Sequence, residues 1–314
     1  MTDLNNIIAL LFPGQGSQAV GMGKDLADKY PVARQTFEEA DDALGYKLST
    51  VCFEGPEDQL RLTEITQPAI LTVSIAALRV LETRVPRPSY VAGHSLGEYS
   101  AHVAAGTFSF ADAVRTVRNR GKYMQEAVPV GVGAMAAILG MDAAKVAEVC
   151  HDAAQGEVCE AANLNSPEQI VISGNTAAVE RAAKLADERG AKRAKLLPVS
   201  APFHCSLMKP AQDRLQTDLD ALQLQKPVYP IACNVDAELV TDDLRARDTL
   251  VRQVTGSVKW DACMRLLMAQ GVQTFIEVGP GKVLCGLMRQ IARSKTAVNV
   301  GDEASLTNTL ERLR

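Results

Sequence analysis

Apolar residues fall in short runs separated by longer amphipathic stretches, the alternation expected of buried strands and covering helices. Residues 7–12 are wholly apolar and end at Pro13-Gly14, which predicts a buried parallel strand. Helices are predicted from about residue 22, over 31–44 with Pro31 suited to a first turn, and over 67–83, where dense apolar residues mark a core helix. A second strand over 89–93 runs into a helix beginning at Leu96. A long helix over 111–127 carries Arg115, Arg118 and Gly121-Lys122 in its middle.

The pattern changes at Gly131-Val132-Gly133, which reads as a hinge. A strand over 134–140, a helix over 142–153, strands over 158–164 and 169–173, a helix over 177–189 and a strand over 194–199 give the order βαββαβ, the split-βαβ or ferredoxin-like arrangement. The two ends of such a unit lie close together, so it can be inserted into a larger domain. Beyond it come helices over 207–222, 243–254, 260–270 and 283–293, and strands over 228–233 and 272–278. Apolar strands separated by helices predict a parallel sheet covered on both faces. The expected organisation is a large α/β domain from 1–130 and 200–314, interrupted by a small ferredoxin-like domain over 131–199.

Composition narrows the classes. The chain has 314 residues, 47% hydrophobic and 22% charged, which suits one large or two unequal globular domains. A net charge of −4 argues against general nucleic-acid binding, which favours a basic domain. The seven cysteines at 52, 150, 159, 205, 233, 263 and 285 are odd in number, with no C-x-x-C and no histidine pair at metal-ligand spacing. Reduced thiols in a cytoplasmic protein, and no metal site, are expected. The chain opens without the basic start and cleavage site of a signal peptide, and no uninterrupted apolar run nears ~18–20 residues, so no membrane span is expected. Nothing in the pattern calls for an obligate oligomer, and a monomer is expected.

Candidate chemistry centres on Gly93-His94-Ser95-Leu96-Gly97, a G-x-S-x-G pentapeptide between a predicted strand and a predicted helix. A sharp turn there exposes a serine hydroxyl beside the first amides of the helix, the context of a nucleophile that forms acyl esters. A neutral serine needs a base, and the chain offers four histidines. His94 adjoins the serine, where side chains diverge on an elbow. His102 sits two turns along the next helix. His151 has acidic neighbours in the small domain. His204, in a loop where the chain re-enters the large domain, is the best-placed candidate. The oxyanion of acyl transfer needs two backbone amides. One is expected at Leu96 and the second on the Pro13-Gly14-Gln15-Gly16 turn. Two phosphate-loop look-alikes are weak. Gly14-Gln15-Gly16-Ser17-Gln18-Ala19 lacks the second strand with its acidic end, and Gly279-Pro280-Gly281-Lys282 lacks the first glycine and the hydroxyl residue of a P-loop.

Seven blocks, in order, resemble the malonyl-CoA:acyl carrier protein transacylases, the acyltransferases of bacterial fatty-acid synthesis. They are Phe12-Pro13-Gly14-Gln15-Gly16-Ser17-Gln18, Gly93-His94-Ser95-Leu96-Gly97-Glu98-Tyr99-Ser100, Arg120-Gly121-Lys122-Tyr123-Met124-Gln125, Gly133-Ala134-Met135-Ala136-Ala137, Asn165-Ser166-Pro167, His204-Cys205-Ser206-Leu207-Met208 and Glu277-Val278-Gly279-Pro280-Gly281. The resemblance implies an α/β-hydrolase-like large domain, Ser95 as nucleophile, His204 as base and the amides of Leu96 and Gln15 as the oxyanion hole. It implies that Arg120 holds the free carboxylate of malonate and that the backbone carbonyl of Gln253, not an acidic side chain, orients His204. Phe203 would favour malonyl over a branched acyl group. The implied substrates are malonyl-CoA and phosphopantetheinylated acyl carrier protein, with no cofactor and no metal. Lys192 and Arg193, with Lys195, are the candidate docking patch for that acidic partner, extended by Lys122 and Arg289. The rival readings are a serine hydrolase, a non-catalytic carrier-protein-binding accessory, and a trans-acting polyketide acyltransferase.

Overall fold

Two sheets organise the computed structural model, which describes residues 7–199 and 201–313. Ten strands enter them: β1 (Ile8–Phe12), β2 (Tyr90–Gly93), β3 (Gly133–Leu139), β4 (Cys159–Ser166), β5 (Gln169–Asn175), β6 (Arg193–Leu196), β7 (Ile231–Ala232), β8 (Leu239–Val240), β9 (Thr274–Val278) and β10 (Thr296–Val300). The larger sheet has the order β10-β9-β1-β2-β7-β8 and the smaller β4-β5-β3-β6.

β1 is central to the larger sheet and buried at every position, as its unbroken apolar run requires. Its side chains alternate between two cores. Leu10 and Phe12 join the core that includes Ile70, Leu71 and Tyr99, while Ala9 and Leu11 join one built on Trp260, Met264 and Phe275. This is the two-sided covering of a parallel sheet. The pairs β1–β2, β1–β9, β9–β10 and β2–β7 are parallel, and the register sets Phe12 opposite Gly93. The sheet departs from the expected all-parallel form at one edge, where β8 turns back antiparallel on β7. The strand expected over 228–233 shortens to Ile231–Ala232, because Pro230 has no amide to give a ladder and Val228 lies exposed.

The core helix begins earlier than expected, spanning Thr63–Leu81 with Pro68 inside it. It is long and apolar enough to cross a membrane by length and composition, at a mean hydropathy of 1.3, but 89% of that window is buried in the protein. It packs against the helices Phe110–Glu126 and Pro31–Leu44, so its apolar surface is spent on the core. Four further elements were not expected. Helices Leu48–Glu54 and Glu57–Leu60 are too short for a helical period to register, and β10 and the helix Glu303–Arg312 close the chain. That last helix did carry a signal. Asp302 accepts from the Ser305 amide while the Ser305 hydroxyl meets the cap backbone, a capping box written in Asp302-Glu303-Ala304-Ser305.

The smaller sheet is antiparallel throughout. Helices Ala143–Ala154 and Thr176–Glu188 cover one face, setting Val146 and Val179 in one core with Ile138, Ile170 and Ile172 of the sheet. The strand period of two sends Met135 and Val171 to the other face, toward the larger core. The edge strand β4 is pinned to the larger unit. Leu164 N donates to Val258 O at 2.9 Å and Val258 N to Ala162 O at 2.8 Å. The smaller unit is thereby fixed along that edge, while β6 forms the opposite edge.

Candidate active site

The turn after β2 is tight because two glycines leave no room for anything else. A Cβ on Gly93 would overlap the Gly97 carbonyl, and one on Gly97 would overlap the carbonyl of Phe12 on the neighbouring strand. Between them Ser95 takes φ 51°, a left-handed conformation that a serine adopts only under constraint. Asn234 supplies the constraint from beyond β7. Its Oδ1 accepts from Ser95 N at 2.7 Å and its Nδ2 donates to Gly93 O at 2.8 Å.

Ser95 Oγ lies 2.7 Å from His204 Nε2. His204 Nδ1 lies 2.9 Å from the Gln253 carbonyl, which can only accept, so the proton sits on Nδ1 and Nε2 is bare. The serine therefore donates to Nε2. No carboxylate takes the place of that carbonyl, as expected for a dyad and unlike a hydrolase triad. Burial drives the His204 pKa down to about 3, with the charge of Arg120 the next cause. The ring is thus neutral and able to accept a proton at neutral pH.

Arg120 comes from the middle of the helix Phe110–Glu126 and is 1% exposed. Its Nη1 donates to Gln67 Oε1 at 2.9 Å, and its Nη2 donates to Gln253 Oε1 at 3.0 Å and to Ser95 Oγ at 3.2 Å. The Tyr99 ring lies 5.5 Å from the guanidinium carbon. Burial lowers the Arg120 pKa, while Tyr99 and Glu98 oppose the shift. An arginine keeps its charge even so, which leaves a buried cation one hydrogen bond from Ser95 Oγ.

A cavity of about 480 Å³ opens over these groups, with Gln15, Leu96 and Phe203 in its wall beside Ser95, Arg120 and His204. Met124, Met135, Val171 and Leu197 make its apolar side, so the smaller sheet supplies part of the wall through Met135 on β3 and Val171 on β5. The amides of Gln15 and Leu96 have no backbone or side-chain acceptor among the described residues. Phe203 is 9% exposed. The structure brings together every expected site residue except the docking pair. Lys192 and Arg193 lie on the outer edge of the smaller sheet, and Lys192 is already paired with Glu168 at 2.8 Å.

The other histidines separate cleanly. His94 Nε2 meets Asn165 Oδ1 at 2.7 Å and ties the elbow to β4. His102 is fully buried with neither ring nitrogen partnered among the described residues, and His151 is exposed. The P-loop look-alike is also accounted for. The Glu277 carboxylate accepts from Leu284 N at 3.0 Å and Cys285 N at 2.8 Å, so an internal anion already fills that helix start. Among the described residues no group of three His, Cys, Asp or Glu side chains is arranged to hold a metal ion.

Four residues behind the site escaped the sequence reading. Asn234 and Gln67 hold the elbow and the arginine, Asn165 holds His94, and Glu98 is fully buried one turn into the nucleophile's helix. Gln67 borders the apolar run that follows it, and Glu98 stands among polar neighbours, so neither carried a clear signal. Asn234 has none beyond its place after a strand.

Comparison with known proteins bears on the same residues. A family model described as an acyl transferase domain matches residues 9–312. The malonyl CoA-acyl carrier protein transacylase of Escherichia coli (strain K12) is 49% identical over 304 residues, which is 96% of this chain and 98% of that one. An acyl carrier protein S-malonyltransferase structure from Vibrio cholerae O1 biovar eltor str. N16961 superposes with a TM-score of 0.94 at 50% identity, covering 96% and 99% of the two chains. A type II PKS acyl-carrier protein in complex with its malonyl-transacylase gives a TM-score of 0.95 at 46% identity, covering 98% of this chain and 100% of that one.

Proposed function

The chain belongs to the acyl transferase domain family, and from that premise we propose that it transfers a malonyl group from malonyl-CoA to the phosphopantetheine thiol of acyl carrier protein through an ester on Ser95. The observation that carries this reading is the position of one oxygen. Ser95 Oγ is 2.7 Å from a neutral imidazole and 3.2 Å from a buried guanidinium. A base and a carboxylate receptor thus converge on one nucleophile.

Ser95 Oγ attacks the thioester carbonyl carbon while its proton passes to His204 Nε2. The tetrahedral oxyanion rests on the amides of Leu96 and Gln15. The C–S bond breaks and the CoA sulfur leaves with the proton from His204. Arg120 pairs with the malonyl carboxylate throughout. The carrier-protein thiol then gives its proton to His204 and attacks the ester, and the steps run in reverse to free Ser95. The Phe203 ring crowds any substituent on the α-carbon. Only the two substrates enter the scheme, and no cofactor or metal takes part.

The fold supports a division into an α/β-hydrolase-like domain over 1–130 and 200–314 and a ferredoxin-like domain over 131–199. The strand order and the adjacent, antiparallel β3 and β6 at its ends support it. Residues 1–6, 200 and 314 of these bounds lie outside the described residues. One chain supplies every group in the scheme, so a monomer suffices. Seven buried free thiols fit a cytoplasmic setting. The carrier protein docks at Lys192, Arg193 and Lys195, because β6 leads directly to Leu197, Pro198 and Val199 in the cavity wall.

Mass spectrometry after mixing with malonyl-CoA alone tests the covalent step. One malonyl group is gained by the wild type and none by Ser95→Ala. An unshifted wild-type mass refutes the ester.

A further inference from the structure

We propose that Glu98 is a positioning residue that sets the malonyl selectivity of the site by fixing the side-chain amide of Gln253 with its oxygen toward Arg120. The inference rests on Arg120 receiving the malonyl carboxylate and goes beyond it by naming what aims the guanidinium.

Gln253 touches three residues of the site at once. Its carbonyl accepts from His204, its Oε1 accepts from Arg120 Nη2 at 3.0 Å, and its Nε2 donates to Ser95 O at 3.1 Å. A glutamine amide flipped by half a turn would fit the same space with a donor facing the guanidinium, and the arginine would lose its acceptor and turn away. The Ser95 carbonyl and Asn234 Oδ1, at 3.4 Å, oppose that flip, and the Glu98 carboxyl, which makes the shortest contact to the amide, opposes it most. Glu98 Oε2 accepts from Gln253 Nε2 at 2.6 Å and from Asn234 N at 3.0 Å. Burial pushes the Glu98 pKa up to about 7, but Oε2 accepts from the Asn234 amide whether or not the acid is ionised, so it demands the NH₂ group and Oε1 of Gln253 points to Arg120. Glu98 is 0% exposed, and its Oε1 carries no hydrogen bond among the described residues. A buried acid with a bare oxygen is costly to keep for stability alone, whereas an acid that sets an amide has a reason to remain. Through Asn234 the same oxygen reaches the elbow, but Asn234 is held independently by Gly93 and Ser95. The selective effect therefore runs through Gln253.

Steady-state kinetics with malonyl-CoA and acetyl-CoA, carrier protein as acceptor, test this on the wild type, Glu98→Ala, Glu98→Gln, Glu98→Asp and Arg120→Ala. Loss of the shortest of the buried hydrogen bonds that set the Gln253 amide predicts that Glu98→Ala lowers the malonyl-to-acetyl ratio of kcat/KM about tenfold, mainly in the malonyl KM. Glu98→Gln offers the same acceptor oxygen and restores the ratio to within about threefold. Glu98→Asp keeps charge and burial but withdraws the oxygen by one methylene, so its ratio falls between the two even if Glu98→Ala does not fold. An unchanged ratio in folded Glu98→Ala or Glu98→Asp, with Arg120→Ala collapsing it, overturns the role of Glu98 alone. So does a Glu98→Gln ratio as low as that of Glu98→Ala. A ratio unmoved by Arg120→Ala overturns the carboxylate reading itself and this inference with it.

Discussion

Ser95 and His204, 109 positions apart, meet at 2.7 Å with both backbones in the left-handed region, at φ 51° and φ 59°. Such conformations cost of order 1–3 kcal/mol each for a residue with a Cβ, and they persist only where surrounding contacts over-determine them. Asn234 does this for Ser95 and the Gln253 carbonyl for His204. Glycine takes a positive φ without strain. Ser95→Gly and Ser95→Ala should both lose malonyl loading by about a thousandfold or more. Ser95→Gly should nevertheless be the more stable of the two by about 1 kcal/mol. Denaturant titration of the pair reads the difference, and an alanine variant as stable as the glycine would mean that the elbow stores no strain.

Arg120 links selectivity to pH. Removing a buried guanidinium that pairs with a carboxylate costs several kcal/mol, so Arg120→Ala should cut malonyl kcat/KM by about a hundredfold or more while acetyl transfer falls far less. The charge of Arg120 is also one cause, after burial, of the low pKa of His204. In the wild type His204 stays deprotonated, and therefore competent, down to a pH well below the ordinary histidine value, so loading should show no acid limb near pH 6.5. In Arg120→Ala the pKa rises and the limb moves toward neutrality. Single-turnover acetyl loading against pH, in both proteins, measures the shift; a limb at the same pH in both would sever the electrostatic link.

The chemistry was more legible than its support. G-x-S-x-G between an apolar run and a helix marked Ser95 because glycine spacing and a strand-to-helix switch are local signals. β1, the helix Pro31–Leu44 and the βαββαβ order of the smaller unit were readable for the same reason. Arg120 was not readable alone. A mid-helix arginine on an amphipathic segment looks like any solvated cation, and only tertiary packing makes it 1% exposed. The Gln253 carbonyl came from resemblance, since a backbone oxygen leaves no mark on a sequence. Asn234 and Asn165 were missed because each acts on a residue far away in sequence, 139 and 71 positions off, the first from just beyond the neighbouring strand β7 and the second from the other sheet. β7 was legible only as part of a longer apolar run, and β8, with two residues, is shorter than any period that could reveal it.

The docking edge is testable by charge. Lys192 is half neutralised by Glu168, both side chains being well exposed, so the pair adds little stability and the cations can turn to a partner. Glu substitutions at Lys192 and Arg193 should raise the KM for carrier protein about tenfold at low salt and leave malonyl-CoA loading unchanged. The effect should shrink as salt rises, because exposed charges are screened within about 10 Å at 0.1 M. Carrier-protein kinetics indifferent to both reversal and salt would place the docking surface elsewhere.

His102 offers a stability change away from the chemistry. It is fully buried, its two ring nitrogens have no hydrogen-bond partner among the described residues, and it lies edge-on to Phe108 at 6.1 Å. Burial alone drives its pKa down to about 3. The unfolded chain, with an ordinary histidine pKa near 6.5, then binds more protons than the folded one at any pH between the two values. Stability contributed by the neutral ring is complete above about pH 6.5 and is lost as the pH falls toward 3, by about 2 kcal/mol at pH 5 for this one group. His102→Leu keeps an apolar side chain of similar size and removes both the unpartnered nitrogens and the titration. Its Tm at pH 8 should rise by about 2 °C, and the gap over wild type should widen at pH 5. His94 and His204 titrate in the same direction in both proteins and cancel in the difference. A gap that stays constant from pH 8 to pH 5 would show that His102 finds a proton partner when charged.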